Sequence, residues 1–279
     1  MFQYAAAKRL AVRRGTSLKL DVSVYRTELK GSTPIRFELD RFNMKYQTAK
    51  WKDLFLAMES EGLRSRVKKI IIPNKYRIKK IREDHFGFDR SLLEAPDNVY
   101  LIGDWQSENY FKDIEGMIRK DYLFRSPQKG RNRELADLIA STESVGLHIR
   151  RGDYVSDPMI NMIHGTCDLG YYSSAIKEIV KRTKSPYFLV FSDDIQWAKD
   201  NLKIDHPVIF VDNNSGRDGF EDMRLMSQCK HNIIANSSFS WWAAWLNKNP
   251  EKIVIAPKNW FKNKDADTRD LFPEGWVKI

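Results

Sequence analysis

A chain of 279 residues, 42% of them hydrophobic, can bury a sizeable core in one large domain or two ordinary ones, which excludes a disordered or fibrous protein. Its 47 basic against 37 acidic side chains leave a net charge of +10, a balance that suits anionic partners without choosing between nucleic acid, lipid headgroups and nucleotide phosphates. Cys167 and Cys229 are too few for a disulfide framework and lack metal-ligand spacing. With no run of 18 apolar residues and no signal-peptide pattern, a soluble, cytoplasmic protein is expected.

The apolar pattern over Phe2–Arg14 predicts a helix stopped by Gly15, and the alternation Leu18, Leu20, Val22, Val24 predicts a half-buried strand over Ser17–Val24. No strand pattern and no Gly-rich turn precede that first helix. Trp51–Glu61 reads as helical. Between Glu61 and Glu83 there is no acid, while Arg64, Arg66, Lys68, Lys69, Lys75, Arg77, Lys79, Lys80 and Arg82 accumulate. This basic segment, 64–82, is either a solvated helical face or a surface for an anionic partner, such as the inner face of a membrane touched peripherally. Asn98–Gly103 predicts a short strand and Asn109–Leu123 a helical stretch. Pro127 and Gly130, within a charged segment, mark a boundary between residues 1–128 and 129–279.

The second half alternates more clearly. Apolar runs at Val145–Ile149, Tyr187–Phe191, Val208–Val211, Asn232–Ala235 and Lys252–Ala256 predict buried strands. Helical stripes lie between them: Tyr172, Ala175, Ile176, Ile179 and Val180; then Ile195, Ala198 and Leu202; then Leu225, Met226 and Cys229. Phe239–Asn247 is apolar nearly all round, as a buried helix is. Strands alternating with helices imply an α/β fold with a parallel, doubly wound sheet, whose ligand crevice lies beyond the carboxyl ends of the strands. Those ends carry His148, Arg150 and Arg151; Ser192, Asp193 and Asp194; Asp212 and Asn213; and Asn236, Ser237, Ser238 and Ser240.

Three segments there carry chemistry. In HIRRGD, two arginines end a buried strand, a costly arrangement unless anions meet them; the guanidinium fork suits phosphate oxygens, and Gly152 permits a tight turn. Successive residues of a strand point to opposite sides. His148 and Arg150 therefore face the crevice together, and Arg151 is expected to pair with a carboxylate such as Asp153. A purely structural ion pair at the strand end is the competing reading. In IIANSSFSWWAAWLN, Asn236, Ser237 and Ser238 precede the buried helix, where free backbone N–H groups and the helix dipole favour an anion, although ordinary capping uses the same residues. Asp222 begins the preceding helix; its carboxylate can accept two hydrogen bonds from a guanine edge, or simply interact with the helix dipole. The paired acids of FSDD could hold Mg²⁺, but Arg150 can neutralise a diphosphate itself, so no metal or other cofactor is expected. Gly-x-Ser-x-Gly, a Walker loop and Gly-x-Gly-x-x-Gly are all missing, against hydrolase, NTPase and dehydrogenase readings.

HIRRGD, FSDD, DMRLMSQCKHNIIANSSFSWWAAWLN and YLIGDWQSENYF (Tyr100–Phe111), with MFQYAAAKRLA at the start, together resemble the bacterial α-1,2-fucosyltransferase family over nearly the whole chain. The resemblance implies a GT-B-like fold of two Rossmann-type halves with parallel sheets, in which residues 1–128 form the acceptor-side half, residues 129–279 bind GDP-fucose, and the acceptor enters between the halves. It also implies metal-independent, inverting transfer of L-fucose from GDP-β-L-fucose to a glycan hydroxyl, α-1,2 to a galactoside in surface polysaccharide. Carried over by motif, Arg150 binds the diphosphate and supports its departure. His148 and Asp222 contact the nucleotide, Ser237 and Ser238 the phosphates with Asn236 beside them, and Asp193 is a further nucleotide-side candidate. For the acceptor proton, Asp153 is the candidate and Asp157 its alternative; pairing with Arg151 would make Asp153 a poor base. Family members begin with a strand and a Gly-Leu-Gly-Asn-Gln-type turn before Met-Phe-Gln-Tyr, whereas this sequence starts at that methionine, so its first half is expected to lack a central strand. Two other readings compete: a non-catalytic nucleotide-sugar binder, and a nucleic-acid-binding protein working through the basic segment, for which no recognition motif speaks.

Overall fold

The helix expected at the start forms over Phe2–Arg14 (α1), where Gly15, at φ 62°, turns the chain out of it. In the computed structural model residues 1–26, 37–57, 78–263 and 266–279 are described. They divide into two units, Met1–Leu123 with Asp267–Pro273 and Phe124–Ala266 with Glu274–Ile279. Every strand pair among the described residues is parallel. Two α/β units with parallel pairing match the GT-B-like class.

In the first unit the strand expected over Ser17–Val24 shrinks to Lys19–Leu20 (β1), paired with Gln47–Thr48 (β2). Trp51–Ala57 is helical (α2). Lys79–Arg82 (β3) pairs with Val99–Ile102 (β4). Most of the basic segment lies outside the described residues, and its described end, Lys79 to Arg82, is strand rather than helical face. The helical stretch expected from Asn109 begins as tight turns and becomes α-helix only at Glu115–Asp121 (α3). Ala5 and Ala6 of α1 are fully buried, and Arg9, 5% exposed, is neutralised by Asp113 at 3.1 Å and bonds the Leu93 carbonyl at 2.6 Å.

The second unit contains Gly130–Ser141 (α4), Glu143–Ile149 (β5), Gly152–Ser156 (α5), Pro158–His164 (α6), Leu169–Arg182 (α7), Pro186–Ser192 (β6), Ile195–Asn201 (α8) and Val208–Val211 (β7). Gly219–Gln228 (α9), His231–Ile233 (β8), Ser238–Leu246 (α10), Val254–Ala256 (β9) and Val277–Lys278 (β10) complete it. The sheet runs β10-β9-β8-β5-β6-β7. Counted from β5 as the first strand, that order is 3-2-1-4-5-6, the doubly wound arrangement whose direction reverses between its first and fourth strands. Here the reversal falls between β5 and β8.

Alternation along β5 sorts its two faces. Val145, Leu147 and Ile149 pack with Tyr172, Ala175 and Ile179 of α7 and with Ala198 of α8. Gly146 on the opposite face lies against Cys229 and Asn232, where a Cβ would come within 3.2 Å of both, so α9 and β8 can close onto the strand. α10 buries every residue from Ser240 to Leu246, including Trp241, Trp242 and Trp245. A helix apolar on all sides is held by packing rather than propensity, and polar bonds set its position: the Asn247 amide donates to the Cys229 carbonyl at 2.7 Å and to Asn232 Oδ1 at 2.8 Å. Fixing the end of α10 against the start of β8 aims the helix's N-terminus at the carboxyl edge of the sheet.

Candidate active site

At the end of β5 the backbone alternation sends Arg150 and Arg151 opposite ways. Arg150 is clamped between Asp153 (Nη2 to Oδ1, 2.7 Å) and Asp193 (Nη1 to Oδ2, 2.8 Å), over the Tyr154 ring at 5.2 Å. The other oxygen of Asp193 accepts the Arg151 backbone N–H at 2.8 Å. Gly152 is the residue that permits this. A Cβ there would stand 2.5 Å from Asp193 Oδ2, closer than any side chain tolerates.

Arg151 does not pair with Asp153, contrary to the sequence expectation. Its Nε donates to Asp194 at 3.2 Å and its guanidinium lies 3.8 Å from the centre of the Trp197 ring, while Asp194 also caps α8. The reason is local: the one-turn helix α5 brings the residue three positions on back to Arg150, and the opposite-facing Arg151 meets α8 instead. Asp157 is occupied capping α6, accepting from Met159 N at 2.8 Å and Ile160 N at 3.3 Å. Asp212, at the end of β7, pairs with Lys199 at 2.7 Å.

His148 shares the face of Arg150. It is 5% exposed and packs against Phe239 of α10 at 5.4 Å between ring centroids. Burial, reinforced by the Arg150 charge, drives its imidazole down to about 3. It is therefore neutral at ordinary pH, and its buried Nδ1 has no hydrogen-bond partner; Arg150 Nε is in the same position. Such orphaned atoms are costly unless a ligand meets them.

Ser237 occupies the N-cap position of α10 but makes no side-chain capping bond, and Ser238 is exposed as the first helical residue. The Ser240 hydroxyl turns back to the Ala235 and Ser237 carbonyls. The helix therefore presents the N–H groups of Ser238, Phe239 and Ser240 without an internal acceptor, as helix starts do when no side chain caps them. Asn236, expected among the ligand contacts, has its side chain engaged within the protein. Its amide donates to the carbonyls of His164 (3.0 Å), Gly165 (3.3 Å) and Trp260 (3.2 Å), and its oxygen accepts the Cys167 thiol at 3.5 Å.

Asp222 stands apart from this cluster, with no bond or ion pair to it among the described residues. One carboxylate oxygen accepts Asn214 Nδ2 at 2.7 Å, and Asn214 and Asn213 in turn bond Asn132 of α4. Burial, countered by the Asn214 bond and aided by Glu221, pushes the Asp222 carboxyl up to about 7. Sequence reasoning missed Tyr154, Phe239 and the Asn132–Asn213–Asn214 group. Tyr154 follows Arg150 by one helical turn, a spacing visible only once α5 is known; the asparagines come from two distant segments and carry no pattern. Among the described residues no group of three or more His, Cys, Asp or Glu could hold a metal ion, and no helix is long and apolar enough to cross a membrane.

A doubly wound parallel sheet with arginines at its first strand end and an uncapped helix start after its fourth defines a Rossmann-type α/β unit with its polar groups at the switch point. Residues 36–279 match the model of glycosyl transferase family 11, and the chain belongs to that family of glycosyltransferases. It is 34% identical to an alpha-1,2-colitosyltransferase of Escherichia coli, over 100% of this chain and 94% of that one. It is 31% identical to the O-antigen biosynthesis glycosyltransferase WbnK of Escherichia coli, over 100% and 96%. Rattus norvegicus galactoside alpha-(1,2)-fucosyltransferase 1 is 36% identical over 60% of this chain and 46% of its own. The solved structure of NodZ alpha-1,6-fucosyltransferase soaked with GDP-fucose overlays 88% of this chain and 87% of its own at 18% identity with a TM-score of 0.48, too loose a likeness to bear on the site.

Proposed function

We propose that this glycosyltransferase moves L-fucose from GDP-β-L-fucose to a glycan hydroxyl, α-1,2 to a galactoside, with inversion and without a metal. The observation that carries the reading is the meeting of Arg150 and the open N-terminus of α10 across the switch point. The first three amides of α10 have no side-chain cap, and Arg150 carries its guanidinium on two carboxylates that a diphosphate could replace, with its buried Nε unbonded. A diphosphate placed there would take the guanidinium from Asp153 and Asp193 and meet the helix dipole on its other side, which also stabilises the charge that grows on it as the sugar leaves.

In the reaction the bond from the fucose anomeric carbon to the diphosphate oxygen breaks, and its electron pair leaves with GDP. The acceptor oxygen bonds the same carbon from the opposite face and gives up its proton. Asp153 is the carboxylate proposed to take that proton. Its 2.7 Å pairing with Arg150 occupies one of its oxygens, so it acts as base only once the diphosphate has drawn the guanidinium from it. Neutral His148, through Nδ1, and Phe239 line the nucleotide side, with Ser237 and Ser238 at the phosphates. Asp193 holds Arg150 in place while no nucleotide is bound. Asp222, presented by Asn214, accepts from the guanine N1–H and amino group.

The 34% match to a colitosyltransferase over the whole chain favours GDP-colitose as the second donor to consider, colitose being fucose without its 3-hydroxyl. Transfer rates with GDP-fucose, GDP-colitose and GDP-mannose, using lactose as acceptor, test the assignment. Transfer of fucose ahead of the other two supports it, and a preference for either of the others overturns it.

A further inference from the structure

Beside the Arg150 cluster, within the second unit, lies a cavity of about 410 Å³ that the donor reading leaves unused. It opens on the same carboxyl edge of the sheet: Asn236, which follows β8, and Pro257, which follows β9, are in its wall. Its other walls are the segments 164–168 and 257–262. Asn236 ties them together through the carbonyls of His164, Gly165 and Trp260. Gly165, at φ 61°, lets the first segment pass Lys262 closely, since a Cβ there would come within 3.0 Å of its Cγ. Lys262 N bonds the Ile163 carbonyl at 2.9 Å and its ammonium bonds Asn161 at 2.6 Å. The cavity is thus cross-braced by the protein's own bonds, as pre-formed small-molecule sites are.

The lining has the chemistry of a carbohydrate site. His164 and Phe261, 5.4 Å apart between ring centroids, supply aromatic surface for the C–H face of a sugar. Asn259 and Lys258 make no side-chain hydrogen bond or ion pair among the described residues, and Asp168 uses one carboxylate oxygen to cap α7, leaving the other without a bond. Donors and acceptors of both charge signs around aromatic walls suit a neutral polyhydroxylated ring better than an anion. A volume of about 410 Å³ lies toward the lower end of the roughly 300–1,000 Å³ of ligand pockets, room for one or two sugars. The cavity is also adjacent to the reacting groups. Tyr154, under the Arg150 guanidinium at 5.2 Å, stacks on His164 at 4.8 Å.

We propose that this cavity binds a neutral hexopyranose unit of the acceptor glycan. The inference rests on the transfer reaction proposed above and assigns the acceptor end of that site. Asn236 then has a role that motif comparison did not suggest: it holds the acceptor pocket in shape rather than touching the donor.

Methyl β-D-galactopyranoside is the probe. Saturation-transfer NMR reads its contact with the GDP-loaded protein, fucose transfer reads its KM and kcat, and a calorimetric GDP titration is run on every variant. Asn259→Ala, on the exposed rim, is expected to raise the galactoside KM about tenfold, the 1.4 kcal/mol equivalent of a lost hydrogen bond, with kcat and GDP affinity within twofold of the parent. Phe261→Ala is expected to abolish the NMR signal; should it unfold, Asn259→Ala carries the test alone. Parental KM and NMR signal in variants that bind GDP normally, or no galactoside signal in a parent protein that binds GDP, overturns the inference and leaves the donor assignment standing. Failure of the parent to bind GDP overturns the donor assignment itself.

Discussion

Replacing Gly152 by alanine isolates how Arg150 is held. The added Cβ would lie 2.5 Å from Asp193 Oδ2 and 3.1 Å from its Cγ. A free carboxylate could swing aside at little cost, but this one is pinned at both oxygens, to Arg150 Nη1 and the Arg151 amide, each at 2.8 Å. Moving it breaks or lengthens both bonds. Charge-assisted bonds contribute about 1.5–3 kcal/mol each, and discounting for side chains 26–30% exposed leaves a total cost of about 1–2 kcal/mol. That corresponds to a melting temperature lower by roughly 2–8 °C for a unit of this size. Catalysis suffers more, because a guanidinium displaced by about 1 Å costs on the order of 100-fold in rate. Gly152→Ala is therefore expected to lose about two orders of magnitude in kcat/KM for GDP-fucose with only a modest fall in thermal stability. Asp193→Ser on the native Gly152 background removes the same two bonds without the clash and is expected to lose about as much stability and activity as Gly152→Ala. A Gly152→Ala protein with parental kcat/KM and melting temperature would show that Asp193 does not hold Arg150 in its working position.

Two predictions concern titration. With its carboxyl near 7, Asp222 is half protonated at neutral pH; if its ionised form receives the guanine edge, GDP affinity weakens as pH falls through 7, whereas Asp222→Asn flattens that dependence and binds GDP more weakly at pH 8. Its folded-state value lies above the usual carboxylate range, so stability drops as pH rises from about 4 to 7, and Asp222→Asn gains stability at pH 8 and not at pH 4; calorimetric GDP titrations and melting temperatures across that range check both. His148 has the opposite linkage: its folded value, about 3, is below the ordinary 6.5, so stability present above pH 6.5 is lost as pH falls from there toward 3. Its ring resonances are expected not to shift between pH 5 and 8, and His148→Gln to reduce the acid-side loss; a ring that titrates near 6.5 contradicts the burial argument.

The second unit was legible because hydrophobic runs of strand length alternate with helical stripes, and that alternation admits few topologies besides a parallel, doubly wound sheet. The carboxyl edge of the sheet followed from the parallel pattern, and with it the placing of His148, Arg150, Ser237 and Ser238 along one crevice; the strand order that puts the switch point between β5 and β8 did not. Ion pairing was not legible. Which of Asp153, Asp193 and Asp194 meets which arginine depends on a five-residue helix, α5, too short to leave a periodic signature. Asn236 stood in a motif that invited a ligand contact, but its role is set by carbonyls in segments about 70 residues back and 24 ahead, which no local pattern reveals. In the first unit the strands are two to four residues long among the described residues, below the length at which alternation can be counted.

Arg150 and the start of α10 are proposed to form a diphosphate site. Calorimetric titration of GDP into the parent protein and into Arg150→Ala tests it most directly, with melting temperatures confirming that both are folded. Saturable GDP binding by the parent is expected, with a loss of roughly 10–100-fold in affinity in the variant, the equivalent of one or two charge-assisted bonds. Equal affinities, or no binding of GDP by the parent, would contradict it.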